Sequence, residues 1–435
     1  MLNYEKKVLD NGLRVIVAPM ENIEAVTLLV LVGVGSRQEV KKINGISHFL
    51  EHLFFKGTKS RPNPGQVHKE LDKIGATHNA FTNKEETGFW VKLSAKDFDV
   101  GLDIISDILL EPIFNEKEIE KERGVILQEI SMYEDEPRRK VLDIMENVLY
   151  GDQPLGWDIA GTKETVNNIK RTDIVKYEFS NYLSKNMVVI VAGNIDKKTA
   201  FKKINNVFSR IRKGVNKPFQ RIKISQKSPQ IKIIKKDSDQ THFAFAFRGY
   251  NMFDEKRYIL NLLSVVLGGN ASSRLFTEIR EKLGLAYYVY SWGDQYNDCG
   301  YLGMAAGIPH QKIEKVISKI TEIIKEIKEK SVSQKDLDLA KGFIRGQMAL
   351  KFETSDEIAS FVAGQELFYK KILQPEEILK KIEKINKNDI LRIGREIFRP
   401  AKANLAIIGQ PRSAARREGD NRKDEEQYKK ILRII

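Results

Sequence analysis

Apolar residues recur along this chain with two periods, one of two and one of three to four, and the switches between them divide it into elements. Alternating or continuous apolar runs predict strands over residues 13–17, 25–34, 87–93 and 187–192, and again over 231–234, 242–248, 286–293, 300–306 and 404–408. Three-and-four spacing predicts helices over 45–55, 64–74, 98–110 and 116–133, with counterparts later in the chain. The segment 312–330, KIEKVISKITEIIKEIKEK, carries that spacing in its plainest form, an apolar stripe with charges on the other face. Strands close enough to form hairpins, such as 287–291 and 300–306, predict antiparallel pairing and an α+β fold rather than a doubly wound parallel sheet.

The elements also repeat. Asn168-Ile-Lys-Arg-Thr-Asp173 precedes a strand that ends at Gly193, and Lys384-Ile-Asn-Lys-Asn-Asp389 precedes one that ends at Gly409. Asp173 and Asp389 lie 216 positions apart, as do Gly193 and Gly409, while Gly124-Val-Ile126 and Gly342-Phe-Ile344 lie 218 apart. A nearly constant offset predicts two tandem homologous halves, each a mainly antiparallel sheet packed with helices. The expected division is a first half over 1–213, a linker over 214–229, a second half over 230–410 and a charged tail over 411–435.

Composition narrows the function. With 73 Lys and Arg against 59 Asp and Glu the net charge is +14, which invites a nucleic-acid reading. The basic residues, however, are spread over helix faces among acids, and the purer stretches, 210–223 and 412–417, fall in the linker and the tail. No finger, zipper or RNA-recognition signature accompanies them, so no nucleic-acid partner is expected. The apolar run over 25–34 is about half the length of about 20 that a membrane-spanning helix needs. No h-region follows Met1, so neither a signal peptide nor a membrane partner is expected, and the expected location is cytoplasmic. A single cysteine, Cys299, excludes a disulfide framework and any multi-cysteine metal site.

One stretch carries chemistry. Gly45-Ile-Ser-His48-Phe-Leu-Glu51-His52-Leu-Phe-Phe-Lys-Gly57 places two histidines at i and i+4 on a helix, where both imidazoles can reach one ion. Glu51 lies on nearly the same side, and Ile46, Phe49, Leu50, Leu53 and Phe54 surround the polar three. Such a set suits Zn2+, which takes imidazole nitrogens and keeps a position open for water, with Glu51 as the base that takes a proton from water. His-x-x-Glu-His is the inverted zincin signature. A third ligand is needed, and the predicted helix 116–133 offers Glu122 and Glu129, two turns apart on one face. Both stay open on composition, although Glu129 has the more apolar neighbours, Ile126, Leu127 and Ile130.

These residues resemble the pitrilysin family of inverted zincins, in particular its short branch, about the size of this chain, related to mitochondrial processing peptidase and bacterial processing proteases. The likeness spans nearly the whole chain. It runs through Gly45–Gly57, Asn79-Ala-Phe-Thr82 with Glu85 and Thr87, the stretch from Glu122 to Pro137, and Ser272-Ser-Arg-Leu-Phe-Thr-Glu-Ile-Arg280 on to Tyr287. It implies one Zn2+ per chain held by His48, His52 and Glu129, with Glu51 as general base and Glu122 orienting a ligand.

The second half lacks that set. At an offset of 218, Gln347 and Ala340 stand opposite Glu129 and Glu122, and with Gly57 set against Gly269, Leu260, Leu263 and Ser264 stand opposite His48, Glu51 and His52. The resemblance implies instead that Arg280 and Tyr287 help to hold substrate and stabilise the oxyanion. It further implies a chamber built by two subunits. A homodimer is therefore expected, with this pair of one chain completing the zinc site of the other. Asn79, Ala80 and Thr82 lie on an expected edge strand to which an extended peptide can add. His78 reads as a strand side chain, and 268–273 as a loop without the lysine of a phosphate cradle. The expected function is a zinc metalloendopeptidase acting on oligopeptides or unstructured polypeptide segments. The alternative is a non-proteolytic peptide-binding or scaffold subunit of the same fold.

Overall fold

The computed structural model describes residues 2–410 and 421–433. Of the expected tail, 411–420 lie outside the described residues, and a helix, Asn421–Leu432, follows. No helix among the described residues is long and apolar enough to cross a membrane.

The chain forms two compact units, each built on one mixed sheet. The first sheet comprises β1 (Glu5–Val8), β2 (Arg14–Pro19), β3 (Ala25–Val32), β4 (Thr77–Thr82), β5 (Thr87–Ser94) and β6 (Met187–Gly193), in the order β1-β2-β6-β3-β5-β4. The second comprises β7 (Gln230–Lys235), β8 (Thr241–Arg248), β9 (Tyr288–Gln295), β10 (Gly300–Ile308) and β11 (Ala403–Gly409), in the order β7-β11-β8-β10-β9. With β1 set aside, the two orders are the same. In each, one parallel pair, β2 with β6 or β7 with β11, joins an otherwise antiparallel sheet. The fold is α+β with two homologous halves.

The first five α-helices after β3 are α1 (Ile46–Phe54), α2 (Gln66–Lys73), α3 (Phe98–Leu110), α4 (Glu116–Asp135) and α5 (Pro137–Tyr150). Val26, Leu28 and Val30 of β3 point to one side, into a core shared with Phe49, Leu53 and Phe54 of α1 and Ile104, Ile105 and Ile108 of α3. The opposite face of the same strand, with Leu29 and Leu31, is equally buried. Its cover comes from far along the chain. Ile358, Ala359, Val362 and Ala363 of the helix Ser355–Gly364 lie against Leu29, Leu31, Val188 and Ile190. The second sheet is covered in the converse way, since Val141, Ile144, Met145 and Leu149 of α5 pack on Ala244, Ala246, Ala305 and Ala406.

The compact units therefore differ from the halves in chain order. The first takes in residues up to Ile130, Asp158–Gln220 and Gln347–Glu376. The second takes in Ser131–Trp157, Arg221–Gly346 and the described residues from Glu377 onward. Each half lends the other a helix, and residues up to Gln220, inside the expected linker, belong to the first unit.

The glycines that mark the repeat have a backbone reason. Gly193 ends β6 at φ +128, and Gly409 ends β11 at φ +133. Each passes against the start of the neighbouring strand: a Cβ at Gly193 would lie 2.3 Å from the Ala25 carbonyl oxygen, and one at Gly409 would lie 2.8 Å from Thr241 Cα. Both the dihedral and the close approach favour a residue without a side chain.

Candidate metal centre

Helix α1 is aimed by its first turn. Gly45 takes φ +98, and the backbone turns there into the helix. The buried Glu39 carboxylate accepts from the Gly45 and Ser47 amides, each at 2.8 Å, and from Asn44 Nδ2 at 2.9 Å. A carboxylate in that position satisfies amides that the helix itself leaves open and meets the positive end of its dipole. Burial nevertheless pushes the Glu39 carboxyl up to about 7, against the opposing pull of those hydrogen bonds. With Ile46, Phe49, Leu50, Leu53 and Phe54 facing the core, His48, Glu51 and His52 occupy the remaining side of α1.

Helix α4 lies across from them. Its buried face is Ile119, Glu122, Ile126 and Ile130. Two turns separate Glu122 from Glu129, and the structure gives them different work. Glu129 Oε2 lies 3.6 Å from His48 Nε2 and 3.6 Å from His52 Nε2. Glu122 Oε2 instead takes the other nitrogen of His52, Nδ1, at 3.2 Å, and its Oε1 accepts from Lys56 Nζ at 2.7 Å.

This donor set fits zinc. One ligand atom from each of His48, His52 and Glu129 lies within 4.8 Å of the others, and no second such trio occurs among the described residues. Zn–N and Zn–O bonds of about 2.0–2.1 Å in a tetrahedron set ligand atoms about 3.4 Å apart. The two observed separations of 3.6 Å are near that value. With Nδ1 of His52 donating to Glu122, the Nε2 that faces Glu129 carries the lone pair a metal needs.

The electrostatics are those of a cation site. Burial disfavours a charged His52, but the hydrogen bond to Glu122 and the carboxylates of Glu51, Glu129 and Glu122 outweigh it, so its pKa is raised. The same field favours a divalent ion. Burial also raises Glu51, partly offset by the hydroxyl of Thr82 and by His52. Glu122, despite burial, is held down by His52 and Lys56 and stays anionic.

Glu51 is oriented from β4, where Thr82 Oγ1 donates to its Oε2 at 2.5 Å. Thr82 thus touches the side chain expected to act as base, a role that adds to its expected place on the substrate strand. Asn79 and Ala80 lie on β4, the terminal strand of its sheet, which among the described residues pairs only with β5. His78, on the same strand, bonds through Nε2 to Nδ1 of His68 at 2.8 Å and belongs to no metal trio. Arg280 and Tyr287 are in the second unit, side by side, with the guanidinium carbon 5.6 Å from the tyrosine ring. Tyr287 is 75% exposed.

Sequence reasoning passed over three residues of this neighbourhood, Glu39, Lys56 and Arg37, and over the contact of Thr82 with Glu51. No local pattern in the sequence marks any of them as buried or paired. Only the position of Glu39 just before a helix that lacks a Ser, Thr or Asp cap could have drawn notice.

Comparison with known proteins agrees with the motif. Residues 14–163 match the family model described as insulinase, peptidase family M16, and residues 168–342 match the one described as peptidase M16 inactive domain. A Rickettsia bellii protein named as an uncharacterized zinc protease is 34% identical over 409 residues, covering 94% of this chain and 98% of its own. The Bacillus subtilis protein YmxG, also named as an uncharacterized zinc protease, is 33% identical over 405 residues, 92% of this chain and 96% of its own. The crystal structure of a protease from Helicobacter pylori superposes with a TM-score of 0.89 at 25% identity, covering 94% of this chain and all of that one. Over more than nine-tenths of its length, then, the sequence and the fold place this chain in peptidase family M16, the pitrilysin family.

Proposed function

We propose that the chain is a zinc metalloendopeptidase that hydrolyses oligopeptides or unstructured polypeptide segments in the cytoplasm. The observation that carries this reading is the convergence of two imidazole Nε2 atoms on one Glu129 oxygen, one residue along α1 from a second, separately held carboxylate, Glu51. A binding scaffold has no use for that second carboxylate.

His48, His52 and Glu129 would hold the ion, and Glu122 keeps His52 in the tautomer that presents Nε2. A zinc ion held there would supply a Lewis acid for the scissile carbonyl and would ease the loss of a proton from water near neutrality. Glu51 takes that proton and returns it to the leaving amine. Thr82 holds one of its oxygens, so the other is free to turn to the water. A peptide adding to the open edge of β4 is held by its backbone, which tolerates many sequences. Arg280 and Tyr287 supply a cation and a phenol suited to an oxyanion. We place them in the site of a partner chain, within a chamber of two subunits, because both sets are present on one chain.

Two experiments test this. Hydrolysis of a quenched peptide is expected to stop with a chelator, and Glu51→Gln is expected to keep its zinc yet lose at least about a hundredfold in kcat. Undiminished hydrolysis by that variant defeats the mechanism. Mixing Glu51→Gln chains with Arg280→Ala chains is expected to restore activity; mixed dimers without rescue rule out a shared site.

A further inference from the structure

Arg37 lies in the loop between β3 and α1, and its side chain has no exposed surface. A cation so buried needs a counter-charge and hydrogen bonds. Its Nη1 bonds to Glu85 Oε1, and its Nη2 donates to the Gln220 carbonyl at 3.3 Å. The ring of Phe219 covers it, 4.0 Å from the guanidinium carbon. Its partners come from two distant places. Glu85 belongs to the turn between β4 and β5, whereas Phe219 and Gln220 belong to the basic stretch that joins the two halves.

That stretch is laid along the first unit. Ser184 and Lys185 donate their amides to the carbonyls of Arg212 and Gly214, at 3.0 and 3.1 Å. The β4–β5 turn is gripped by the loop that carries Arg37. Ser36 and Arg37 donate their amides to the carbonyls of Asn83 and Lys84, at 3.1 and 2.7 Å. A Cβ on Gly35 would lie 2.2 Å from the Asn83 oxygen, so the two loops meet at backbone distance. Thr82, which bonds to Glu51, immediately precedes this turn.

We infer that Arg37 is a positioning residue and residues 212–220 a strap: Phe219, docked on Arg37, fixes the β4–β5 turn and thereby the Thr82 hydroxyl against Glu51. The inference rests on the reading of Glu51 as the base. The strap acts on turnover more than on binding. Thr82 is the last paired residue of β4, opposite Thr87 at the turn itself, whereas Asn79 and Ala80 pair with Trp90 and Phe89 further from it.

The test uses the full chain carrying Phe219→Ala or Phe219→Tyr, each with and without Thr82→Ala. Zinc content, peptide kinetics and amide exchange over 82–87 are measured. Phe219→Ala is expected to keep its zinc and to lose about tenfold in kcat with KM within about twofold, as a displaced catalytic group does. Phe219→Tyr restores the rate, because its ring covers the guanidinium equally. On the Thr82→Ala background the same change is expected to cost less than about twofold, since both act through one contact. Additive losses in this cycle overturn the inference, as does unchanged exchange in the turn of Phe219→Ala. If Glu51→Gln proves fully active, the peptidase reading fails separately, and the exchange measurement still decides whether the strap holds the turn.

Discussion

Glu122 stands between an imidazole and an ammonium, with one oxygen on His52 and the other on Lys56. Held anionic in this way, it keeps the proton of His52 on Nδ1 and the ring facing Glu129. Glu122→Gln keeps the shape but loses the charge, and is expected to weaken zinc about 10- to 100-fold, measured by competition with a chromogenic chelator. Equal affinity would mean that Glu122 plays no part in holding the ligand. At this scale the two histidines of the metal trio are legible in the sequence, because i and i+4 on a helix place two side chains together whatever surrounds them. The division of labour between Glu122 and Glu129 is not legible in the spacing, since two turns of helix bring both to the same face. Thr82 and Arg37 are less legible still. Their partners, Glu51 and Glu85, are 31 and 48 residues away, beyond the reach of any local period.

Helix α1 owes its direction to Glu39, and that acid makes the element sensitive to pH. Glu39 holds its proton up to about 7 in the folded chain, against an ordinary value of 4.5. Between those two values the folded state binds more protons than the unfolded state, so stability falls as pH rises through that window. The loss is on the order of 3 kcal/mol for a shift of this size. Urea unfolding at pH 5 and pH 8 is expected to show it in the native sequence and not in Glu39→Gln; an equal change in both would count against burial as the governing effect. Element boundaries are otherwise well marked. The expected helix over 98–110 matches Phe98–Leu110, and the expected strand over 242–248 is one residue short of Thr241–Arg248. In both, a sharp change of period coincides with a turn.

Across the whole molecule, the exchange of helices determines which pieces can stand alone. The helix Ser355–Gly364 covers Leu29, Leu31, Val188 and Ile190, four side chains that a chain ending at residue 229 would expose together. At about 1.5–3 kcal/mol for each buried aliphatic side chain, that exposure is comparable to the whole stability a domain of this size keeps in reserve. A fragment of residues 1–229 is expected to aggregate and to bind a hydrophobic dye, and co-production of 347–376 is expected to restore solubility. A soluble fragment with cooperative unfolding would refute this. Nothing in the periodicity announces the exchange. An apolar stripe shows that a helix is covered on one side but not which sheet covers it, so the halves of the repeat are readable and their trade is not.

The same trade sets an order of maturation. A ribosome delivers every metal ligand by residue 129, but the helix that completes their unit only after residue 364. Between those two points a nascent chain carries the three candidate donors without the finished core that would hold them in place. On the peptidase reading proposed above, a product cut short before residue 355 is expected to be inert rather than an unregulated protease, because the cover of Leu29, Leu31, Val188 and Ile190 is missing from it.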